Sequence, residues 1–211
     1  MRNEVYIVGA SGHAKVVIST FRAAGWSVLG AFDDDPGKWG KTILGAKVLG
    51  PTGELSRLVE GRRAVVAIGD NRVRRKVAGR FPHLEWATVV HPRAWVDPSV
   101  RIGRGTVVFA GAVLQPDSSV GSHAIINTGA TIDHDCRLGD YVQLAPGSHL
   151  GGTVTVETGA FLGVGSSVVP NTHVGAWSVI GAGAVVAKDL EGHVKAVGVP
   201  AKVIERMVEA V

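Results

Sequence analysis

The segment VVFAGAVLQPDSSVGSHAII, residues 107–126, shows a six-residue period that runs without interruption from Val90 to Val186. Every sixth residue is a branched aliphatic: Val90, Val96, Ile102, Val108, Leu114, Val120, Ile126, Ile132, Leu138, Leu144, Leu150, Val156, Leu162, Val168, Val174, Ile180 and Val186. Two positions earlier the residue is small or Val: Ala94, Val100, Thr106, Ala112, Ser118, Ala124, Ala130, Cys136, Val142, Ser148, Val154, Ala160, Ser166, Thr172, Ser178 and Ala184. A fixed short period of this kind is typical of repeat architectures.

The six-residue unit predicts one short strand followed by one corner. Residues two apart on a strand share a face, so the aliphatic and the small position both point inward. Glycine often follows the aliphatic residue, as at Gly103, Gly121 and Gly139, and we expect it to supply a turn that needs permissive backbone angles. Because one unit can bury its inward pair only against a neighbouring unit, the repeat predicts a parallel β-solenoid.

The unbroken repeat resembles the left-handed β-helix acyltransferases, the hexapeptide-repeat family, in which three units form one triangular turn. The resemblance implies about five turns between Val90 and Val186. The left-handed sense comes from the resemblance alone, since crossover connections in most proteins are right-handed.

The composition predicts a soluble protein without disulfide bonds. Of 211 residues, 45% are hydrophobic and 19% are charged, as in ordinary globular domains. The sequence shows no signal-peptide pattern and no apolar run long enough to span a bilayer, so we expect no membrane insertion. The only cysteine, Cys136, excludes an internal disulfide and favours a cytoplasmic location. It occupies the small inward position, where packing is the expected role.

The net charge of +4 does not by itself predict nucleic-acid binding. The basic residues are scattered or form short groups, such as Arg72 to Lys76, and no aromatic residues alternate with them. A solvated face or a pocket for phosphorylated small molecules is the expected use of these charges.

The chain before the repeat alternates short apolar segments with amphipathic ones. The strands are expected at Val5 to Val8, Ser27 to Phe32 and Ala64 to Ile68, and the helices at Val16 to Ala24, Pro51 to Glu60 and Arg72 to Arg80. This alternation predicts a small, Rossmann-like parallel α/β domain.

The turn Gly9-Ala10-Ser11-Gly12 lies between the first predicted strand and the first predicted helix. Amide groups at a helix N-terminus are suited to phosphate when glycine leaves them unobstructed. The dinucleotide fingerprint G-x-G-x-x-G is incomplete here, but Asp33 and Asp34 follow at the distance expected of a ribose partner. These residues alone leave open a nucleotide site or an ordinary tight turn followed by an acidic hairpin.

GASGHAK from Gly9, FDDD from Phe32, IGDN from Ile68 and the hexapeptide half together resemble the sugar acetyltransferases of the PglD, PerB and NeuD group. The resemblance covers essentially the whole chain. It implies that the small domain binds a nucleotide-linked sugar, that the solenoid binds acetyl-coenzyme A (acetyl-CoA), and that no metal is required. The implied nucleotide-sugar residues are Gly9, Ser11, Gly12 and His13 for phosphates and ribose, Asp33 and Asp34 for base or ribose hydroxyls, and Asn71 and Arg74.

Within the repeat, Ile132-Asp133-His134-Asp135-Cys136 places a histidine between two carboxylates at a corner. Such a histidine projects outward and is not needed for packing, and an adjacent carboxylate favours the imidazolium and can orient the ring. On these residues alone, a catalytic and a merely solvated histidine both stay open. The resemblance implies that His134 is the general base for direct acyl transfer and that Asp135 orients it.

The same resemblance implies that Asn127 helps to bind the reacting groups. Gln143 stands where family members often have a second histidine that reaches the acetyl group. Because Gln143 and His134 are half an 18-residue turn apart, they could meet only across a subunit boundary, which implies a homotrimer. The positions that match acetyl-CoA contacts are Gly152, Val164 and Ala182, and a backbone amide near Gly152 is a candidate for stabilising the oxyanion.

These interpretations divide the chain into a nucleotide-sugar domain at residues 1–85, a β-helix at 86–190 and a C-terminal cap at 191–211. In the cap, GVPAK at residues 198–202 resembles the family's ending. We expect Ala201 to Val211 to form a short helix that covers the open end of the solenoid.

The resemblance therefore implies an acetyl-CoA-dependent N-acetyltransferase that acts on a UDP-4-amino-4,6-dideoxy sugar or on a sugar of the GDP-perosamine type. Polysaccharide biosynthesis is the expected setting, and protein glycosylation, capsule and O-antigen all stay open as the pathway. Sugar O-acetylation, as in the sialic-acid O-acetyltransferases, is the main alternative, although Gln143 in place of a histidine favours an amine, which needs less base assistance than a hydroxyl. A non-catalytic scaffold is a further alternative. A zinc site like that of the γ-class carbonic anhydrases is disfavoured, because His134 and His149 are 15 residues apart and do not stack.

Overall fold

The computed structural model describes residues 3–58 and 61–208, and the chain divides after Pro92 into two compact units. Of the helices in these described residues, none combines the length and the apolar character that a membrane span requires. Each unit has its own core of buried aliphatic side chains.

The first unit contains a six-stranded sheet and two α-helices. The strands of the sheet are β1 (Glu4–Val8), β2 (Ser27–Phe32), β3 (Thr42–Ile43), β4 (Ala46–Gly50), β5 (Arg63–Val66) and β6 (Glu85–Trp86), and a further strand of the unit, β7 (Val89–Val90), lies outside this sheet. The helices are α1 (Gly12–Ala23) and α2 (Asn71–Gly79), with 3-10 helices at Pro36–Lys38 and Thr52–Arg57. The strand order is β3-β4-β2-β1-β5-β6, and β1 pairs in parallel with both β2 and β5. The predicted α/β domain is confirmed.

Helix α1 forms because Ala14, Val17, Ile18 and Phe21 fall at helical spacing and are fully buried. An α-helix was predicted at Pro51 to Glu60, but the structure has a 3-10 helix there, Thr52–Arg57, so the predicted type is wrong. Glu60 lies outside the described residues. Gly53 and Ser56 interrupt this segment with weak helix formers.

The second unit is a parallel β-helix with three faces. The first face contains β10 (Val107–Val108), β13 (Ile125–Ile126), β16 (Gln143–Leu144), β19 (Phe161–Leu162), β22 (Val179–Ile180), β24 (Val194–Val197) and β25 (Lys202–Arg206). The second face contains β8 (Trp95–Val96), β11 (Val113–Leu114), β14 (Thr131–Ile132), β17 (His149–Leu150), β20 (Ser167–Val168) and β23 (Val185–Val186). The third face contains β9 (Arg101–Ile102), β12 (Ser119–Val120), β15 (Arg137–Leu138), β18 (Thr155–Val156) and β21 (His173–Val174).

Strands of one face pair at intervals of 18 residues, as in Val113 with Thr131 and Thr131 with His149. The inward pairs are buried as predicted, with Ala112 and Leu114 fully inaccessible. Most hydroxyls in the small position find partners inside, as Ser118 Oγ does by donating to Asp133 O at 2.8 Å, whereas Ser166 Oγ has none among the described residues. Such bonds remove the cost of burying a polar group.

The expected role of the glycines that follow the aliphatic residues is wrong. Gly103, Gly121 and Gly139 do not have positive φ; a side chain there would instead meet the backbone of the next turn, for example Thr158 N at 2.6 Å from a Cβ on Gly139. Positive φ occurs elsewhere in each corner, as at Gly129 (67°) and Asp135 (59°). Gly103, Gly121 and Gly139 therefore allow successive turns of the β-helix to stack closely, and they do not form the bends of the chain.

The predicted C-terminal helix from Ala201 is also wrong for the residues that the structure describes. Lys202–Arg206 is strand β25, which pairs antiparallel with β24, with Lys195 opposite Glu205. Residues 209–211 lie outside the described residues. The adjacent β-branched residues Val203 and Ile204 favour a strand once an open sheet edge is available.

Candidate active site

His134 stands at the corner between β14 and β15, where the chain passes from the second face to the third. Its backbone N–H donates to Asp133 Oδ1 at 2.8 Å, and its carbonyl accepts from Thr153 N at 2.8 Å. The side chain is 58% exposed. The repeat thus fixes the backbone of this residue and leaves the imidazole open to solvent.

Asp135 completes a dyad with His134. The His134 Nδ1–H donates to Asp135 Oδ2 at 2.8 Å, which leaves Nε2 as the nitrogen that can take a proton. This hydrogen bond, together with the charges of Asp133 and Asp135, raises the pKa of His134 above its ordinary value. The result is a stronger base with a fixed tautomer, held at an exposed corner.

Gly152 lies one turn after His134 at the same corner. Its carbonyl accepts from Asn171 N at 3.0 Å. In the described part of the chain, no acceptor is found for its N–H. This amide is therefore available to an oxyanion formed beside the imidazole.

A cavity of about 390 Å³ adjoins the dyad on the Asp135 side. Its lining residues are Asp117, Asp135, Arg137, Thr153 and Thr155. Carboxylates, hydroxyls and a guanidinium can together hydrogen-bond the hydroxyl and amino groups of a sugar.

The other predicted β-helix residues do not join His134 within this chain. Asn127 follows β13, and Val164 and Ala182 lie at the same corner in later turns, across the second face from His134. Gln143 belongs to β16 on the first face and is 9% exposed, and its buried Oε1 has no hydrogen-bond partner among the residues that the structure describes. The structure thus brings together His134, Asp135 and Gly152 but leaves the remaining four residues apart from them.

In the first unit, the turn after β1 has the form that the sequence predicts. Gly9 has a φ of 105°, and a Cβ there would lie 2.9 Å from Ile68 Cγ1, so only glycine fits. A Cβ on Gly12 would meet nothing within 4 Å. Gly12 opens the helix α1, whose N-cap is Ser11. The open space at Gly12 lets a ligand approach the backbone.

Asp33 is already bound to this turn. Its Oδ2 accepts from Ala10 N at 2.7 Å and from Lys38 Nζ at 3.0 Å, and Lys38 also donates to Ser11 Oγ at 3.0 Å. Burial raises the pKa of Asp33, but the hydrogen bonds from Asp35 N, Lys38 and Ala10 outweigh it and hold the pKa below its usual value. Lys38 is a further candidate for this site that the sequence analysis missed; its position in the acidic turn after Asp33 was the available signal.

The remaining predicted residues of this unit are engaged inside it. Asp34 accepts from Thr52 N at 2.7 Å and Thr52 Oγ1 at 2.8 Å. Arg74 is 1% exposed and donates to Ile68 O, Gly69 O and Asn71 Oδ1 at 2.8–3.1 Å. The Arg74 contacts fix the loop between β5 and α2.

His13 lies close to this buried arginine. Burial first, and the charge of Arg74 second, lower the pKa of His13 to about 4. His13 is therefore neutral near pH 7 and offers a hydrogen bond rather than a positive charge. In the part of the chain that the structure describes, no three His, Cys, Asp or Glu side chains form a group suited to a metal ion.

The chain is similar to proteins of known structure along nearly its whole length. PerB from Caulobacter crescentus, in complex with CoA and GDP-perosamine, is 46% identical with a TM-score of 0.90, covering 96% of this chain and 97% of that one. The acetyltransferase domain of PglB from Neisseria gonorrhoeae, in complex with acetyl coenzyme A, is 34% identical with a TM-score of 0.92, covering 97% and 100%. The family model PglD_N, the PglD N-terminal domain, matches residues 4–81.

Among curated proteins, UDP-N-acetylbacillosamine N-acetyltransferase of Bacillus subtilis (strain 168) is 42% identical over 114 residues, which are 51% of each chain. An uncharacterised protein of Acanthamoeba polyphaga mimivirus is 33% identical over 101 residues. That match covers 48% of this chain and 20% of the viral protein. The matches therefore span about half or less of these curated relatives' own lengths.

The chain combines an α/β domain, a six-residue repeat and an imidazole–carboxylate pair at one exposed corner. Together with the solved structures, these features define a left-handed β-helix acyltransferase, and the fold class predicted from the sequence is confirmed. The chain is 34–46% identical to the two solved sugar acetyltransferases and matches them over 96–97% of its length, which identifies the family within this class. The chain belongs to the PglD/PerB-like family of sugar acetyltransferases.

Proposed function

We propose that this chain transfers the acetyl group of acetyl-CoA to the amino group of a nucleotide-activated amino sugar. The observation that carries the proposal is the exposed His134 ring, with Nδ1 bonded to Asp135 at 2.8 Å and Nε2 left to act as a base. Identity to PerB, bound to CoA and GDP-perosamine, is 46%, against 34% for the PglB domain at similar coverage. The acceptor is a sugar of the GDP-perosamine type or a UDP-linked 4-amino-4,6-dideoxy sugar, since the Bacillus subtilis UDP-N-acetylbacillosamine N-acetyltransferase is also 42% identical over 114 residues.

In this mechanism the substrate amine attacks the thioester carbonyl while His134 Nε2 takes the proton from the attacking nitrogen. The negative charge that develops on the carbonyl oxygen is stabilised by the Gly152 N–H. The carbon–sulfur bond then breaks, and the imidazolium returns the proton to the departing thiolate. Amide and thiol are the products, and no covalent enzyme intermediate forms. Much of the rate comes from holding the amine and the thioester together.

The cavity at Asp117, Asp135 and Arg137 suits the acceptor sugar, because it adjoins the base and is lined by hydrogen-bonding groups. In the domain at residues 1–85, Gly9, Ser11, Gly12, His13 and Asp33 contact the nucleotide. Asn71, Arg74 and Asp34 act mainly by holding the loops around that site, since their polar atoms are bonded within the domain. Residues 86–190 carry the chemistry, and residues 191–211 cover the end of the solenoid.

The active form is proposed to be a homotrimer with sites between subunits. Gln143 supports this arrangement, because it lies on the first face, away from the corner of His134, and its buried Oε1 meets no hydrogen-bond partner within the described part of the chain. In a trimer, Gln143 and Asn127 of one subunit reach the reacting groups held by His134 of the next. Acetyl-CoA binds between neighbouring solenoids, along Gly152, Val164 and Ala182. The proposed location is the cytoplasm, and the proposed pathway is polysaccharide biosynthesis.

The test measures thiol release from acetyl-CoA with three acceptors: GDP-perosamine, a UDP-linked 4-amino-4,6-dideoxy sugar, and the GDP sugar with a hydroxyl in place of the amine. Wild type is compared with His134→Ala. We expect turnover of an amino sugar and a loss of about 100-fold or more in the variant. Turnover of the hydroxyl acceptor alone would instead indicate an O-acetyltransferase. A folded protein that turns over no acceptor would indicate a scaffold.

A further inference from the structure

One corner of the β-helix carries a proline in three of six turns. At steps of 18 residues, the same position holds Pro98, Pro116, His134, Gly152, Pro170 and Lys188. Prolines show that this backbone position accepts a side chain, because proline requires an ordinary negative φ. Gly152 also has no positive φ. The backbone conformation therefore does not explain why residue 152 is glycine.

The space above Gly152 is filled by the His134 ring. A Cβ built on Gly152 would lie 2.6 Å from His134 Cε1, 2.6 Å from Nε2 and 3.3 Å from Cδ2. These three ring atoms are the nearest neighbours of that position, and the first two are closer than a real Cβ approaches. The imidazole thus rests directly on the bare Cα of the next turn.

Two other glycines lie beneath rings but have a second reason to be glycine. Gly105 lies below His123 with a φ of 71°, and Gly159 lies below Trp177 with a φ of 73°. A positive φ disfavours a side chain whatever the space above it. Gly152 differs from both, since only the ring excludes a side chain there.

We infer that Gly152 is a positioning residue: because it has no side chain, the catalytic imidazole of His134 can lie against its Cα and stay bonded to Asp135. The inference rests on the proposed function, in which His134 is the base, and adds a role distinct from that of the Gly152 amide. A side chain at this position displaces the ring from below and moves Nε2 away from the acceptor amine. Because the His134 side chain is 58% exposed, it can swing outward without disturbing the core.

The test is Gly152→Ala in the full chain, with the His134 ring followed by an NMR pH titration and the acetyl transfer measured in parallel. Once its bond to Asp135 is lost, the pKa of His134 is expected to fall toward 6.5. The other charges near the ring stay in place: Asp133 on its own corner, and Asp117 and Arg137 around the adjoining cavity. kcat is expected to drop about 100-fold, as for a displacement of about 1 Å at a reacting group.

The matched control is the same substitution in a His134→Ala background. With the ring removed, Gly152→Ala should leave the melting temperature of the His134→Ala protein unchanged. A drop in melting temperature in that background would show that the new methyl group meets something other than the imidazole, and the inference would be wrong. An unchanged pKa of His134 in Gly152→Ala would overturn it equally, even if kcat fell.

The titration separates this inference from the proposed function. A protein that transfers no acetyl group still reports whether Gly152 seats the ring, because the NMR signal does not depend on turnover. Conversely, full acetyl transfer by Gly152→Ala would leave the proposed reaction standing and remove Gly152 from its positioning role.

Discussion

The two units of this protein place histidines in opposite environments. His13, in the α/β unit, lies beside the buried Arg74, and its pKa is lowered to about 4. His134, in the β-helix, is exposed at a corner, and its hydrogen bond to Asp135 raises its pKa. The first is held neutral at pH 7, whereas the second keeps its proton to a higher pH than an ordinary histidine does. The same side chain is thus made less basic in one unit and more basic in the other.

The difference extends to the neighbouring site residues. In the α/β unit, Asp34 accepts hydrogen bonds from Thr52, and Arg74 donates hydrogen bonds to nearby backbone carbonyls. In the β-helix, His134 and Asp135 are each more than half exposed, and their backbone is fixed by the repeat. Substitutions of the internally bonded Asp34 and Arg74 should therefore change stability, and substitutions of the exposed dyad should change activity.

The largest effect is expected from His134→Ala. Removal of the base lowers kcat by about 100-fold or more, while the melting temperature stays unchanged because the side chain is 58% exposed at a corner. His173→Ala is the matched control, since His173 also pairs with a carboxylate, Glu157, at 3.0 Å and is partly exposed. Steady-state kinetics and thermal unfolding check both variants. Equal losses in the two variants would contradict the assignment of the base.

A change of pH should affect the α/β unit through His13. The folded pKa of about 4 lies below the unfolded value of 6.5, so the unfolded chain binds the proton more tightly and stability falls on acidification. Between pH 7 and pH 5 the loss is about 2 kcal/mol. Urea unfolding at both pH values measures it, and His13→Gln should remove this dependence. A variant that loses the same amount would show that other groups are responsible.

Asp135→Asn should sharpen the contrast at the corner. The neutral amide cannot stabilise the imidazolium, so the pKa of His134 falls and the acid limb of the kcat–pH profile moves to lower pH. kcat on the alkaline plateau drops about 10-fold, because the ring is held less firmly. Asp117→Asn, one turn earlier with a similar φ of 60°, should leave the acid limb in place. An unmoved limb in Asp135→Asn would contradict the dyad.

The smallest effect is expected at Lys38. Its ammonium group bonds Ser11 and Asp33 at the turn proposed to hold the nucleotide. Lys38→Met should raise the KM for the nucleotide sugar about 5-fold, as for one partly exposed charge contact, with kcat unchanged. Lys47→Met, at an exposed position on β4, provides the control. A change in kcat instead of KM would place Lys38 in a different role.

Much of the fold could be predicted because its signals are local. The period of six residues identified strands as short as Val113–Leu114, and glycine with flanking apolar residues identified the turn after β1. The prediction of a C-terminal helix was wrong because Lys202–Arg206 pairs with the open edge of β24. The local sequence does not reveal that this partner strand is available. Lys38 was missed for a similar reason, since its contact with Ser11 joins residues 27 positions apart.

By itself, the sequence determined the register of the β-helix and therefore which residues stand at its corners. Each aliphatic residue must point inward, so His134 has to project outward whatever surrounds it. Only the tertiary structure decided which polar groups remain available for chemistry. Hydrogen bonding and desolvation depend on neighbours brought together by folding, such as Arg74 beside His13 and the bare Cα of Gly152 beneath His134. For that reason the pKa of His13 is lowered and the pKa of His134 is raised, although both residues are histidines.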